Sequence, residues 1–142
     1  MSTQSRFEIV PFQSVGPVSF AMNDGQVKAC LGQPVRELPS RHGGMSQDHL
    51  DHSLFIDFDG TGRLVYVTLY PELEATLDGV ELLQTTATKL EADLERRGLR
   101  PEWEDDSLLI PSAGISVQTD EGEVKNVSVF SAEYWKRALA GG

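Results

Sequence analysis

Shifted by 63 residues, the chain lays Gly16 over Gly79, Phe20 over Leu83, Val27 over Leu90 and Leu31 over Leu94, and Asn23 falls on Thr86. A shift of 60 then lays Gly62 over Gly122, Leu64 over Val124, Val67 over Val127 and Leu69 over Val129. Internal repetition constrains a fold more than any local motif, because a repeated unit must bury its apolar face against its own copy. The matches keep their order along the chain. They predict one domain over residues 1–142, built of tandem units at 10–70 and 74–132 and closed by a short helix at 132–140.

Within each unit the pattern predicts a helix and then a hairpin. Asn23 is a good N-cap and Gln26, three residues on, completes a capping box. Val27 and Leu31 share a face, with Cys30 beside them as a buried structural thiol. Gly32 and Pro34 then stop the helix. Thr86 caps the second helix, where Leu90 and Leu94 share a face and Gly98 and Pro101 end it. LFIDF and RLVYVTL flank DGTG, and GISVQ and EVKNVSVF flank TDEG, which is a hairpin signal in each unit. The polar run PSRHGGMSQDHLDH reads as a mobile loop. The expected fold is therefore α+β: two helix-plus-hairpin units with their helices packed on one face of the sheet.

The net charge of −10 is concentrated in the middle of the chain, where residues 70–123 carry 4 basic and 14 acidic groups. That balance argues against binding nucleic-acid phosphate, which needs Lys and Arg to displace counterions. It favours a basic protein partner, since complementary potentials steer association. No apolar run reaches the ~20 residues of a membrane span. The first residues show no basic start, apolar core and small-residue cleavage site. With the lone Cys30, these features predict a cytoplasmic protein without membrane association.

Four local patterns invite chemistry. DFDGT after an apolar strand matches the first motif of aspartyl phosphatases of the haloacid dehalogenase type, with Asp57 as nucleophile. RLVYVTLY follows at once as a returning strand, so Asp57 and Asp59 flank a hairpin turn and no phosphate cradle follows. The same turn fails as an EF-hand, because Thr68 stands where that loop needs a Glu. His49 and His52, with Asp48 and Asp51 between and beside them, form a weak zinc pattern at one-helical-turn spacing, and incidental clustering in a loop is the plainer reading. Finally, RPEWEDDS sets Trp103 among Glu102, Glu104, Asp105 and Asp106, which suits an anchor for a basic partner. Tyr134 and Trp135 in the terminal helix are further interface candidates. The alternative for Trp103 is a cover over the edge of the core.

The segment GPVSFAMNDGQVKACLGQP, Gly16 to Pro34, resembles the helix-then-sheet unit of the outer-membrane assembly lipoprotein BamE and of the β-lactamase inhibitory protein, which is a tandem of two such units. Small uncharacterised bacterial proteins, some of them immunity proteins of toxin systems, look similar. The resemblance implies a tandem helix-and-sheet architecture and a binding role. The sequence thus predicts a non-enzymatic, cofactor-free binding module, an immunity or inhibitor protein masking a basic partner. The alternative is a small-molecule-binding protein or enzyme with a pocket between the two units.

Overall fold

The computed structural model describes the backbone of residues 6–141 and the side chains of residues 6–137; residues 1–5, inspected above for a leader, lie outside that range. The chain opens with strand β1 (Arg6–Val10) and the two-residue strands β2 (Ser14–Val15) and β3 (Val18–Ser19), then helix α1 (Asp24–Leu31). A four-strand run follows: β4 (Arg36–Pro39), β5 (Gly43–His49), β6 (Leu54–Asp59) and β7 (Leu64–Leu69). Strands β8 (Glu74–Leu77) and β9 (Val80–Glu81) lead into helix α2 (Ala87–Arg96). A second run of four then follows: β10 (Glu102–Glu104), β11 (Ser107–Ile110), β12 (Ile115–Asp120) and β13 (Glu123–Phe130). Helix α3 (Ala132–Gly141) ends the described chain.

The strands form two sheets. The smaller runs β3-β2-β1-β8-β9, and its β1–β8 pair is parallel, with Phe7 opposite Ala75 and Ile9 opposite Leu77. The larger has eight antiparallel strands in the order β10-β11-β12-β13-β7-β6-β5-β4. Its centre is the β13–β7 pair, where Val127 faces Leu69 and Val129 faces Val67. Read inward from either edge, the order is four consecutive strands meeting at that pair.

The expected α+β architecture of two helix-plus-hairpin units is incorrect. The chain is predominantly β, with thirteen strands against three short helices among the described residues. Helices α1 and α2 are each preceded by short strands of their own and followed by four strands instead of two. Two features hid this. Strands of two residues are too short to show alternation. The run 39–52, expected as a mobile loop, contains strand β5, whose GGMSQDH has no β-branched residue.

The helices and the DGTG and TDEG hairpins do lie where their local signals put them. Asn23 and Gln26 form a full capping box, and Thr86 accepts from the Lys89 amide. Strands β6 and β7 pair antiparallel across DGTG, and β12 and β13 across TDEG. The helix-face reading of Cys30 is wrong, however. Cys30 is exposed, its Sγ 3.4 Å from the Pro17 carbonyl, and Val27 alone of α1 is buried.

Alternation along the large sheet decides what is covered. Leu54, Ile56, Val67, Leu69, Val117, Val127 and Val129 point to one face and are buried. They join Phe7 and Ile9 of the small sheet, Val27 of α1, and Leu90 and Leu94 of α2 in one apolar cluster. On the opposite face Ser46, Asp48, Asp57 and Thr68 are buried, while Phe55, Tyr66, Leu109, Ser116, Ser128 and Phe130 are partly exposed.

Strand β5 holds its place through glycine. A Cβ on Gly44 would lie 2.3 Å from the Asp59 carbonyl oxygen and 2.5 Å from that of Phe58, both backbone atoms that cannot step aside. Gly44→Ala is expected to destabilise the protein by about 1–3 kcal/mol, the usual range for forced overpacking. Chemical denaturation checks this; an unchanged midpoint would show that β5 does not approach β6 so closely.

Candidate functional site

The outward face of the large sheet can be laid out from register alone. One row crosses all eight strands as Glu102, Leu109, Ser116, Ser128, Thr68, Phe55, Asp48 and Arg36. Beside it run Phe130, Tyr66, Asp57, Ser46 and Leu38. Where the inward positions are fully buried, Leu109, Ser116, Ser128, Phe55, Tyr66 and Phe130 are only half-buried. The middle of the face is thus a shallow floor of hydroxyls, with Thr68 Oγ1 2.8 Å from Ser128 Oγ, bordered by aromatic rings.

The aromatic border is continuous. Phe55 stacks on Tyr66 at 6.4 Å between ring centres, Tyr66 lies 5.7 Å from Phe130, and Phe130 stacks on Tyr134 at 5.6 Å. Trp135, the next residue of α3, also packs on Phe130, at 5.5 Å between ring centres, and is buried. Burial of the ring, with Asp57 next to it, raises the Tyr66 phenol above its usual value.

At the far end of the same sheet the β10–β11 and β12–β13 turns lie side by side, tied by the Thr119 hydroxyl donating to the Asp106 carbonyl at 2.8 Å. Exposed Glu102, Glu104, Asp105 and Asp106 meet Asp120, Glu121 and Glu123 there, and Lys125 pairs only with Glu123. The structure therefore brings the acids of RPEWEDDS together with three carboxylates that the sequence reading did not single out. It separates them from Trp103. On a strand successive side chains point to opposite faces, so Trp103 leaves from the core side of edge strand β10, 44 % exposed, while Glu102 and Glu104 stand on the open face. Tyr134 and Trp135 follow β13, three strand spacings or roughly 14 Å from β10. They belong to the aromatic border and are remote from the acidic corner.

A second constellation lies under α3. Asp57 is 2 % exposed. One of its oxygens accepts from Ser46 Oγ, the other from His42 Nδ1 at 2.6 Å. A carboxylate only accepts, so Nδ1 is the donor to Asp57, and in the neutral imidazole Nε2 is then the acceptor for the Tyr134 hydroxyl 2.8 Å away. The β4–β5 turn pins His42, whose amide donates to Ser40 Oγ at 2.9 Å and whose carbonyl accepts from the Gly60 amide at 3.0 Å. Register shifts at Gly43/Ser46 and Asp57/Phe58 flank this pair, and such bulges re-aim side chains locally. Asp57, the apparent nucleophile of DFDGT, is thus a buried partner of a histidine. Asp59 caps the hairpin turn, accepting from Thr61 and Arg63, and the Thr61 hydroxyl above all holds its carboxyl below the usual range. His42, the third histidine of the polar run beside His49 and His52, carries no local signal beyond being a histidine.

The weak zinc pair does not assemble. His49 ends β5 on the core side, with Nε2 2.7 Å from Gln47 Oε1. His52 hydrogen-bonds Asp48 from a turn in which Leu50, Asp51 and His52 all have left-handed backbone, so the one-helical-turn spacing is never realised. Among the described residues no group of three or more His, Cys, Asp or Glu side chains converges as a metal site. No described helix is long and apolar enough to cross a membrane. Comparison with family models, curated proteins and solved structures finds no match to this chain.

Burial pushes the His49 imidazole below its ordinary value of 6.5, against the smaller opposing pull of Asp48 and Glu37. The unfolded chain therefore takes up a proton that the folded chain refuses, and stability present above pH 6.5 is lost as pH falls toward the lowered folded value. Denaturation midpoints between about pH 7 and 5 are expected to fall less steeply for His49→Gln than for the wild type. Identical slopes would assign the acid sensitivity to another group.

Proposed function

We propose that this chain is a protein-recognition module that holds a basic partner protein against the open face of its eight-stranded sheet. The role is of the inhibitor or immunity type, in the cytoplasm. The observation that carries the reading is that one sheet face pairs a half-buried aromatic border, Phe55, Tyr66 and Phe130, with an acidic corner of seven carboxylates from Glu102 to Glu123. Aromatic rings supply contact area at low entropic cost and are frequent hot spots. Exposed carboxylates steer a cationic partner and set its orientation more than they add affinity. Seven of the fourteen acidic residues of 70–123 stand at this corner; the others lie on or beside β8, β9 and α2.

Capture of a stoichiometric basic protein from lysate, retained at low salt and released at high salt, is the expected result. The triple variant Glu104→Lys, Asp106→Lys, Asp120→Lys is expected to weaken that complex at least tenfold, chiefly through slower association. Ser116→Arg, which blocks the hydroxyl floor without touching the core, is expected to abolish it. Unchanged affinity in both variants would remove this face as the binding surface.

A further inference from the structure

Beside α3 lies a cleft of about 180 Å³ with Phe20, Leu64 and Val65 on its apolar side; its polar side holds His42 and Tyr134 and two cations, Arg63 and Arg137, set against the carboxylates of Asp59 and Glu133. Glu133 anchors both guanidiniums, at 3.2 Å from Arg63 Nη1 and 2.8 Å from Arg137 Nη2, leaving their other N–H groups unused by that pair. The Asp57–His42–Tyr134 chain ends on this cleft. Its order, carboxylate to imidazole to hydroxyl, is the order that activates a hydroxyl as a nucleophile. Recognition through the sheet face makes no use of it.

We propose that Tyr134 is a nucleophile acting on small carboxylic esters bound in this cleft, with His42 as its general base and Asp57 as the positioning residue. Tyr134 Oη forms a bond to the ester carbonyl carbon as its proton passes to His42 Nε2. Asp57, ionised and held by Ser46, stabilises the imidazolium. The ester C–O bond then breaks, the leaving alkoxide takes the proton back from Nε2 and departs as an alcohol, and the acyl group stays on Tyr134. Water attacks that acyl-tyrosine as His42 Nε2 takes its proton, the acyl carbon–Oη bond breaks, the acid leaves, and Nε2 returns the proton to the Tyr134 oxygen to restore the phenol. The guanidiniums of Arg63 and Arg137 put positive charge beside the carbonyl oxygen that becomes negative. Phe20, Leu64 and Val65 accept the hydrocarbon of a small acyl group, and the cleft has no room for a long one.

The test mixes the full chain with p-nitrophenyl acetate, quenches with acid at times short against hydrolysis of the acyl-tyrosine, and follows acetylation of each tyrosine by peptide mass spectrometry together with the initial burst of p-nitrophenolate. Tyr134 is expected to react at least tenfold faster than Tyr70, which is likewise half-buried and serves as a reference within the same molecule. Asp57→Asn is expected to cut the Tyr134 rate at least tenfold and leave Tyr70 unchanged, because an amide donating to Nδ1 forces the proton onto Nε2 and removes the base. Tyr134 reacting no faster than Tyr70 would mean that the chain of hydrogen bonds only pins α3, and would overturn the proposal. So would an undiminished Tyr134 rate in a folded Asp57→Asn protein, its fold checked by circular dichroism. If that variant does not fold, the comparison of the two tyrosines in the wild type decides alone.

Discussion

The pairing of β7 with β13 is the contact on which the rest of the structure depends. It joins two four-strand runs, separated in sequence by a hairpin and a helix, into one continuous sheet. Val67, Leu69, Val127 and Val129 are fully buried on its inward side, and burial of such side chains is worth about 1.5–3 kcal/mol each. The same register fixes what faces outward, because a slip of one residue would exchange every inward for every outward side chain. Thr68 and Ser128 meet on the open face only because Val67 and Val129 meet on the closed one.

A sheet eight strands wide has more area than two short helices and a five-strand sheet need for a core, and all of that covering lies on one side. At the open face's end beside the β6–β7 turn, α3 covers Phe130 through Tyr134 and Trp135. Of the remaining outward residues Ser46, Asp48 and Thr68 are buried, Phe55, Leu109, Ser116 and Ser128 are half-buried, and the acids of the opposite corner are exposed. The relay beneath α3 is a by-product of the same geometry. It needs a buried carboxylate in a strand whose other buried residues are apolar, a turn that folds His42 back over it, and glycine at position 44 so that β5 can lie against β6.

Local signals were legible in the sequence where they were self-contained. The cap at Asn23 and Gln26, the cap at Thr86, and the two Asp/Gly/Thr hairpins each depend on residues a few positions apart. What depends on distant partners was not legible. Strand β5 is polar because its neighbours, not its composition, satisfy it: Ser46 meets Asp57, and Gln47 reaches the Asp24 carbonyl. The parallel β1–β8 pair links residues 68 apart, Arg6 to Glu74, and nothing local announces it. The acids around Trp103 were visible as a run, but their separation from the ring across β10, and their meeting with Asp120, Glu121 and Glu123, follow from pairing alone.

Hydroxyl-radical footprinting of the captured complex tests the central claim most directly, because it reports side chains instead of backbone amides already protected by the sheet. Binding through the open face protects Phe55, Tyr66, Leu109 and Phe130 from oxidation and leaves Val35, Met45 and Trp103, exposed elsewhere on the molecule, as reactive as in the free protein. Protection of Val35, Met45 or Trp103, with the aromatic border still oxidised at its free rate, would contradict it.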